Sequence, residues 1–515
     1  SWGLTDIASY QLTPEISLRN VFGFRSDKEQ PSFDYDGSEL PILDIANSRT
    51  WESNSLQVTE EFQVLGQNDD NSFNWILGFY HELDHPGGYS EVQRDTFGGA
   101  QPPVSPLSGF GTTEIDALDN GGTSTAIYGS ATYNASSWIN GLSFTAGGRY
   151  TWDHKIADST TCYAGYPLFT GCPLPLPKSG LPSPPDTNYM NQRANFHAPT
   201  WTLAADYQVT DNSMVYATYR RGYKSGGFNS GAGSATDYAE FKPEYLTDVE
   251  VGTKNTWTIF GVPGRTNLDA YYGWYSDIQK NDEIGICTFD GTGCSSVEPA
   301  AITFNAARAK VKGIEFQSTI IPDENFQIDL FYSYTDAHYD QFVLPEEIVL
   351  ISGLGEEAEG AINHAGNPFA YTPKNKFGIT PRFHIPIDHA FGTPVLSASV
   401  YWQSSEWFTD LSDIETTCSE FVQPAALGEP YTCLAGAGQA PKQGAYTLVN
   451  LRFDWDNFMG SPFDLSLFAT NVTNKTYKVA DNSLLHLTGT SASIYGEPRM
   501  FGLEARIRFG DDAQR

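Results

Sequence analysis

Along most of this chain, apolar and polar residues take turns one by one. The segment LSFTAGGRYTWD places Leu142, Phe144, Ala146, Gly148, Tyr150 and Trp152 on one face, and Ser143, Thr145, Arg149, Thr151 and Asp153 on the other. TNLDAYYGWYSD sets Leu268, Ala270, Tyr272 and Trp274 against Asn267, Asp269, Tyr271 and Tyr275. YTLVNLRFDW sets Val449, Leu451, Phe453 and Trp455 against Asn450, Arg452 and Asp454. RMFGLEARIRF sets Phe501, Leu503, Ala505, Ile507 and Phe509 against Glu504, Arg506 and Arg508. A period of two predicts a strand with one greasy face, and no stretch carries a convincing helical period. Counting such runs gives about 17 strands.

VYATYRRGYKSGGFNSG shows what the two faces want. Tyr216, Thr218, Arg220, Gly222 and Lys224 form a polar or small row, while Val215, Ala217, Tyr219, Arg221 and Tyr223 form a mostly apolar and aromatic one. Such long strands suit a wide barrel with lipid outside and water or protein within. The breaks agree. Short ones fall at 211–212, 263–264, 322–325, 388–392 and 459–462; long ones run about 28–53, 85–121, 154–194, 225–241, 281–303, 340–370 and 408–442. Structureless loops longer than about 15 residues are uncommon in compact domains, whereas membrane barrels put short turns on the periplasmic side and long loops outside. No run is apolar and long enough for a membrane helix.

Composition sharpens this picture. With Tyr 28, Phe 32 and Trp 11 against Met 4, the chain favours strands. A net charge of −32 argues against nucleic acid as a partner; it describes a solvated acidic surface or a mouth that draws cations. The six cysteines fall in three close pairs, Cys162 with Cys172, Cys287 with Cys294, and Cys418 with Cys433, all in the long loops. Without CxxC or zinc spacing, local disulfides in an oxidising compartment are the sharp reading and free thiols the bland one. Neither a metal site nor a cofactor is expected. The NDDN and DGTG stretches at 68–71 and 290–293 are turn chemistry first. No nucleophile elbow or phosphate-binding glycine loop occurs, so no enzyme is expected.

Several segments then carry a resemblance: FTAGGRYTWD, VYATYRRGYKSGGFN, FKPEYLTDVEVGTKNTW, AARAKVKGIEFQ, YTLVNLRFDW, LFATNVTNKTY and GEPRMFGLEARIRF. In this order the chain resembles the β-barrel portion of TonB-dependent outer-membrane receptors. The resemblance implies an all-β, antiparallel transmembrane barrel in the bacterial outer membrane. Residues 1–509 would be an N-terminally incomplete portion of a barrel with 22 strands in the family, and 510–515 a C-terminal tail. The plug domain and TonB box are not recognisable, and an odd strand count points to missing first strands. The tail after Phe509 departs from the family's terminal aromatic.

The implied function is energised uptake of a scarce ligand such as a ferric siderophore, cobalamin or an oligosaccharide. The alternatives are a passive porin-type channel and a surface-binding barrel. Implied partners are the TonB complex, outer-membrane lipid and lipopolysaccharide, the outer-membrane assembly machinery and a small-molecule ligand, with the receptor a monomer. Tyr216, Arg220, Lys224, Glu250, Asp269, Glu315, Arg452 and Arg506 are expected to face the lumen. There they would be satisfied by water, pair with plug or wall charges, or contact ligand. Tyr219, Tyr223, Tyr272, Trp274, Trp455, Phe501 and Phe509 are expected in the membrane girdles.

Overall fold

Hairpins between sequence neighbours generate the fold, because each alternating run finds its backbone partner in the next one. The computed structural model describes residues 1–29, 32–34, 43–46, 53–86, 90–96, 112–164, 188–229, 240–289, 294–343, 363–410, 441–484 and 490–508. Its main sheet has 20 paired segments. Three of them, Ser32–Asp34, Leu43–Ala46 and Ser90–Thr96, prolong longer strands, leaving 17 staves.

In chain order these are β1 (Trp2–Gln11), β2 (Ile16–Glu29), β3 (Ser53–Gln67), β4 (Phe73–Pro86), β5 (Thr112–Asn134) and β6 (Leu142–Ala164). Then come β7 (Asn188–Thr210), β8 (Ser213–Lys224), β9 (Glu244–Ile259), β10 (Val262–Phe289), β11 (Cys294–Asp323) and β12 (Phe326–Phe342). The last five are β13 (Asn375–His384), β14 (Thr393–Gln403), β15 (Tyr446–Asp456), β16 (Phe463–Thr470) and β17 (Met500–Ile507). Each stave pairs antiparallel with the next, from β1–β2 through β16–β17.

One end of the sheet carries only short connections, such as 68–72, 211–212 and 324–325; the other carries the long ones. At 68–72 the turn is held by side chains. The Ser72 amide donates to Asp70 Oδ1 at 3.0 Å, Asn68 Nδ2 donates to Ser72 Oγ at 2.8 Å, and Asn71 takes a φ of 57°. Hydrogen bonds from Ser72 lower the Asp70 carboxyl below its ordinary pKa.

Two sequence expectations shift. The β9–β10 turn is Phe260–Gly261, not Pro263–Gly264, and both turn residues have positive φ, 53° and 81°. That geometry suits the twist of a two-residue hairpin, and Pro263 is already a ladder position opposite Thr258. Second, much of the expected long loop 281–303 is strand. β10 and β11 have 28 and 30 residues, against the roughly 10 a membrane-crossing strand needs, so their upper halves form a projecting two-stranded ribbon. Loop tracts 112–121 and 154–164 join β5 and β6 in the same way.

The two faces differ sharply. Leu77, Ile127, Leu203, Val251, Leu467 and Leu503 stand on one face with half or more of their surface exposed. Among the described residues, the most deeply buried large side chains, Tyr339 and Phe342, sit at the long-loop end and not between two sheets. A sandwich would bury those apolar rows against a second sheet; here they form an outer coat.

Candidate functional site

The polar face of β8–β12 is where most of the expected site residues meet. Register puts Arg220 opposite Asp248 and Thr218 opposite Glu250. Arg220 Nε donates to both Asp248 oxygens at 3.0 Å, and its Nη2 reaches Glu250 Oε2 at 2.7 Å. Tyr216 donates its hydroxyl to Glu250 Oε1 at 2.8 Å, and Lys254 Nζ lies 5.4 Å from the Tyr216 ring centre. Gly252 makes room for that tyrosine: a Cβ there would lie 2.6 Å from ring atoms of Tyr216. Lys224 is looser, with Nζ 3.9 Å from Glu244 Oε1. Glu244 is otherwise held by the Tyr275 hydroxyl and the Gln279 amide, both at 2.7 Å.

Asp269 and Glu315 are direct cross-strand partners on this face. Like charges directly opposite are unfavourable, and among the described residues neither has an ion-pair partner. A separate network occupies β15–β17. Arg452 pairs with Asp454 at 2.7 Å and Glu504 at 3.2 Å and donates to Ser466 at 2.9 Å, while Arg506 lies 3.9 Å from Glu504. The eight residues therefore share one face but form two groups, at β8–β11 and β15–β17.

Sequence reasoning missed three participants. Asp248 lies two residues before Glu250 in TDVEVG, so alternation alone could have found it. Arg149 is covered by the Tyr80 and Tyr128 rings, with centroids at 5.1 and 5.8 Å, and Tyr128 donates to Glu61. The third is a latch at the long-loop end. Lys280 Nζ sits 2.8 Å from Asp410 Oδ2, beside the stacked Tyr339 and Phe369 rings, whose centroids are 4.9 and 5.0 Å away. Asp410 Oδ1 accepts from the Tyr339 hydroxyl at 2.7 Å and the Ala370 amide at 2.9 Å. Burial, reinforced by Asp410, raises the Tyr339 phenol above its ordinary pKa. No sequence pattern signals this latch, because it joins segments far apart in the chain.

On the apolar face, Tyr219 and Trp274 are 38% and 46% exposed, Phe501 is 75% exposed, and the Tyr272 and Trp274 rings lie 4.8 Å apart. Trp455 stands at the short-turn end and donates Nε1 to the Phe391 carbonyl at 2.8 Å. Tyr223 departs from the expected girdle geometry. Its ring stacks on Tyr245, yet its hydroxyl donates to Asp153, a polar-face residue of β6. The cause is local: the β7–β8 ladder ends at Trp201 opposite Arg221, below Pro199, which has no N–H to continue it. Phe509, Cys172, Cys418 and Cys433 lie outside the described residues, as do the side chains of Cys162, Cys287 and Cys294. Among the described residues, no cluster of three or more His, Cys, Asp or Glu could hold a metal.

Residues 1–474 match the family model described as TonB dependent receptor-like, beta-barrel. The chain belongs to that family. Solved relatives share the fold: the ferric yersiniabactin uptake receptor FyuA from Yersinia pestis superposes with a TM-score of 0.65 at 14% identity, over 98% of this chain and 60% of that one. The siderophore receptor PiuA from Acinetobacter baumannii gives 0.59 at 15%, over 96% and 62%. The chain thus spans about three fifths of the length of these receptors. As a TonB-dependent receptor barrel wall it belongs in the bacterial outer membrane, with its apolar face toward lipid and its polar face toward the lumen.

Proposed function

We propose that this chain is the barrel wall of an energised importer that takes up an iron–siderophore chelate. The observation that carries the reading is the charged lumen face. Asp269 and Glu315 stand side by side without an ion pair of their own among the described residues, next to the Arg220–Asp248–Glu250 network. A wall of this many strands encloses more space than its own side chains fill. An inserted plug domain that brings cations against Asp269 and Glu315 would satisfy both needs, and a passive pore would leave them unmet. The plug and the segment that contacts the TonB complex would come from a part of the receptor outside these 515 residues.

Support for the cargo comes from similarity: the superposed receptors are named for ferric yersiniabactin and for siderophores. Capture would occur at the long-loop mouth, where the Lys280–Asp410 latch holds 363–371 against 404–410. Transport needs no bond making; it needs tight binding outside and force on the plug from within. β1 and β17 run in the same direction and no ladder joins them among the described residues. An antiparallel closure therefore needs further strands between them. We also assign the three local disulfides and the monomeric state to this reading, with assembly by the outer-membrane machinery.

The test is uptake of radiolabelled ferric siderophores by cells carrying the full-length receptor, with and without TonB. Uptake only with TonB is expected. Equal uptake in both strains would leave a passive channel.

A further inference from the structure

The lumen face carries a line of aromatic rings that its charged networks do not use. Successive cross-strand partners run Asn267, Gln317, Phe331, Gly378 and Tyr401 from β10 to β14, so Phe331 and Tyr401 share the face of Asp269. Tyr446 follows on the same face of β15, opposite Gln403. Ring centres lie 6.3 Å apart from Phe331 to Tyr401 and 6.4 Å from Tyr401 to Tyr446. Tyr477, in the segment after β16, stacks on Tyr446 at 4.7 Å.

Two glycines keep the line continuous. Phe331 crosses toward Tyr401 over Gly378, where a Cβ would lie 2.0 Å from its ring, and Tyr477 lies over Gly496 in the same way. The Tyr401 hydroxyl donates to Gln403 Oε1 at 2.8 Å, and Gln403 Nε2 donates to Glu406 Oε1 at 2.7 Å, which ties down the polar end of that ring. Phe331 remains 39% exposed.

The line climbs. Phe331 stands five residues above Phe326, Tyr401 eight above Thr393 and Tyr446 ten above Asp456, each counted from the short-turn end of its stave. At a 45° tilt these are heights of ~12, ~19 and ~24 Å. The rings thus rise from mid-depth to the mouth. One cation accompanies them: Lys376, two residues before Gly378 on the same face, stands opposite Gln403 and Ser333. Lys374 and Arg382 pair with Asp336 and Asp329, whereas among the described residues no carboxylate pairs with Lys376.

Barrel interiors of this kind are polar, and Ser397, Ser399 and Asn450 keep to that rule on the same staves. The rings break it in a connected line. Aromatic faces stack on other rings in offset or tilted geometry. Several such faces a few ångströms apart are alternative sites of similar strength, so a bound ring can pass from one to the next. Passage through a pore needs binding of that sort, favourable enough to enter and divided enough to leave.

We infer that Phe331, Tyr401, Tyr446 and Tyr477 form a track on the lumen wall along which an aryl-bearing iron chelate, of the phenolate or catecholate class, descends from the mouth. Lys376 supplies a positive charge beside its metal-bound aryl oxygens. The inference takes its cargo from the siderophore reading and does not depend on TonB.

The test uses cells carrying full-length receptor and a ferric tris-catecholate labelled with radio-iron. Initial uptake rates are compared with equilibrium capture by de-energised cells. Phe331→Leu combined with Tyr401→Leu keeps apolar bulk and removes the two deeper rings. It should slow uptake about ten-fold and leave capture within about two-fold. Tyr401→Phe, which keeps the ring, should transport like wild type, as should Tyr271→Leu, on the same face but off the line. An unchanged rate in the double variant, a rate and a capture that fall together, or a receptor that takes up no catecholate would each overturn the track. Should the double variant lack the heat-modifiable gel mobility of an assembled barrel, wild type decides. An aryl-azide derivative of the chelate, flashed during uptake, should label peptides carrying Phe331 or Tyr401; labelling confined to other staves would overturn the inference. Ring-dependent uptake that persists without TonB would keep the track and remove the energised reading. TonB-dependent uptake indifferent to the rings would do the reverse.

Discussion

Arginine 220 and arginine 221 are neighbours in the chain and live in different solvents. One strand position is enough, because successive side chains leave the sheet on opposite sides. Arg220 finds two carboxylates in the lumen and Arg221 finds two aromatic rings at the lipid boundary. The lumen side also depends on a residue with no side chain. Tyr216 reaches Glu250 by lying across Gly252, its direct cross-strand partner. Gly252→Val should push the ring aside, break the 2.8 Å hydrogen bond and destabilise the folded barrel by about 1–3 kcal/mol. Urea midpoints of refolding into lipid vesicles would measure this. Removing the ring with Tyr216→Ala should then make the valine nearly harmless, the non-additivity expected of touching residues. An unchanged midpoint in Gly252→Val would refute the packing account.

At the scale of the element, the β9–β10 hairpin shows how alternation and turn chemistry divide the work. The period-two pattern in TNLDAYYGWYSD was enough to place Leu268, Ala270, Tyr272 and Trp274 on one face. It could not place the turn, because a Pro-Gly pair is the stronger sequence signal and a bare Phe260 is an unlikely turn residue. Phe260 is fully exposed with φ 53°, a region that costs a bulky residue about 1 kcal/mol or more. Phe260→Asn should therefore stabilise the hairpin by about 0.5–1 kcal/mol, since asparagine tolerates that conformation in two-residue turns. Hydrogen exchange of the Ile259 and Val262 amides should slow in the variant; faster exchange would show that the side chain, not the backbone, sets the turn. Long tracts were harder to read for a different reason. In 281–289 and 294–303 the strands run on past the length that crosses a membrane, so the sequence carries no sustained greasy row there, and only backbone pairing reveals them. The Lys280–Asp410 latch was illegible in the same sense, since it depends on which loops fold together.

For the whole molecule, the apolar rows of the staves point outward while networks such as Arg220–Asp248–Glu250 stand on the opposite face, the reverse of a water-soluble domain. That inversion was legible from the sequence because it repeats in stave after stave, each with the same beat of short turn and long connection. The proposed cargo cannot be read from these rows, and 14–15% identity to the superposed receptors carries the fold alone. The central claim is therefore about which medium touches each row. It is tested most directly by a nitroxide-bearing amino acid placed in turn at each position from 267 to 274 of full-length receptor in outer-membrane vesicles. Collision with lipid-soluble oxygen and with a water-soluble nickel chelate is then read by electron paramagnetic resonance. Oxygen accessibility should peak at 268, 270, 272 and 274, and that row should be shielded from the chelate throughout, while 267, 269, 271 and 273 report a lumen environment. A profile without period two, or one in which the Leu268 row is closed to both probes, would contradict the account.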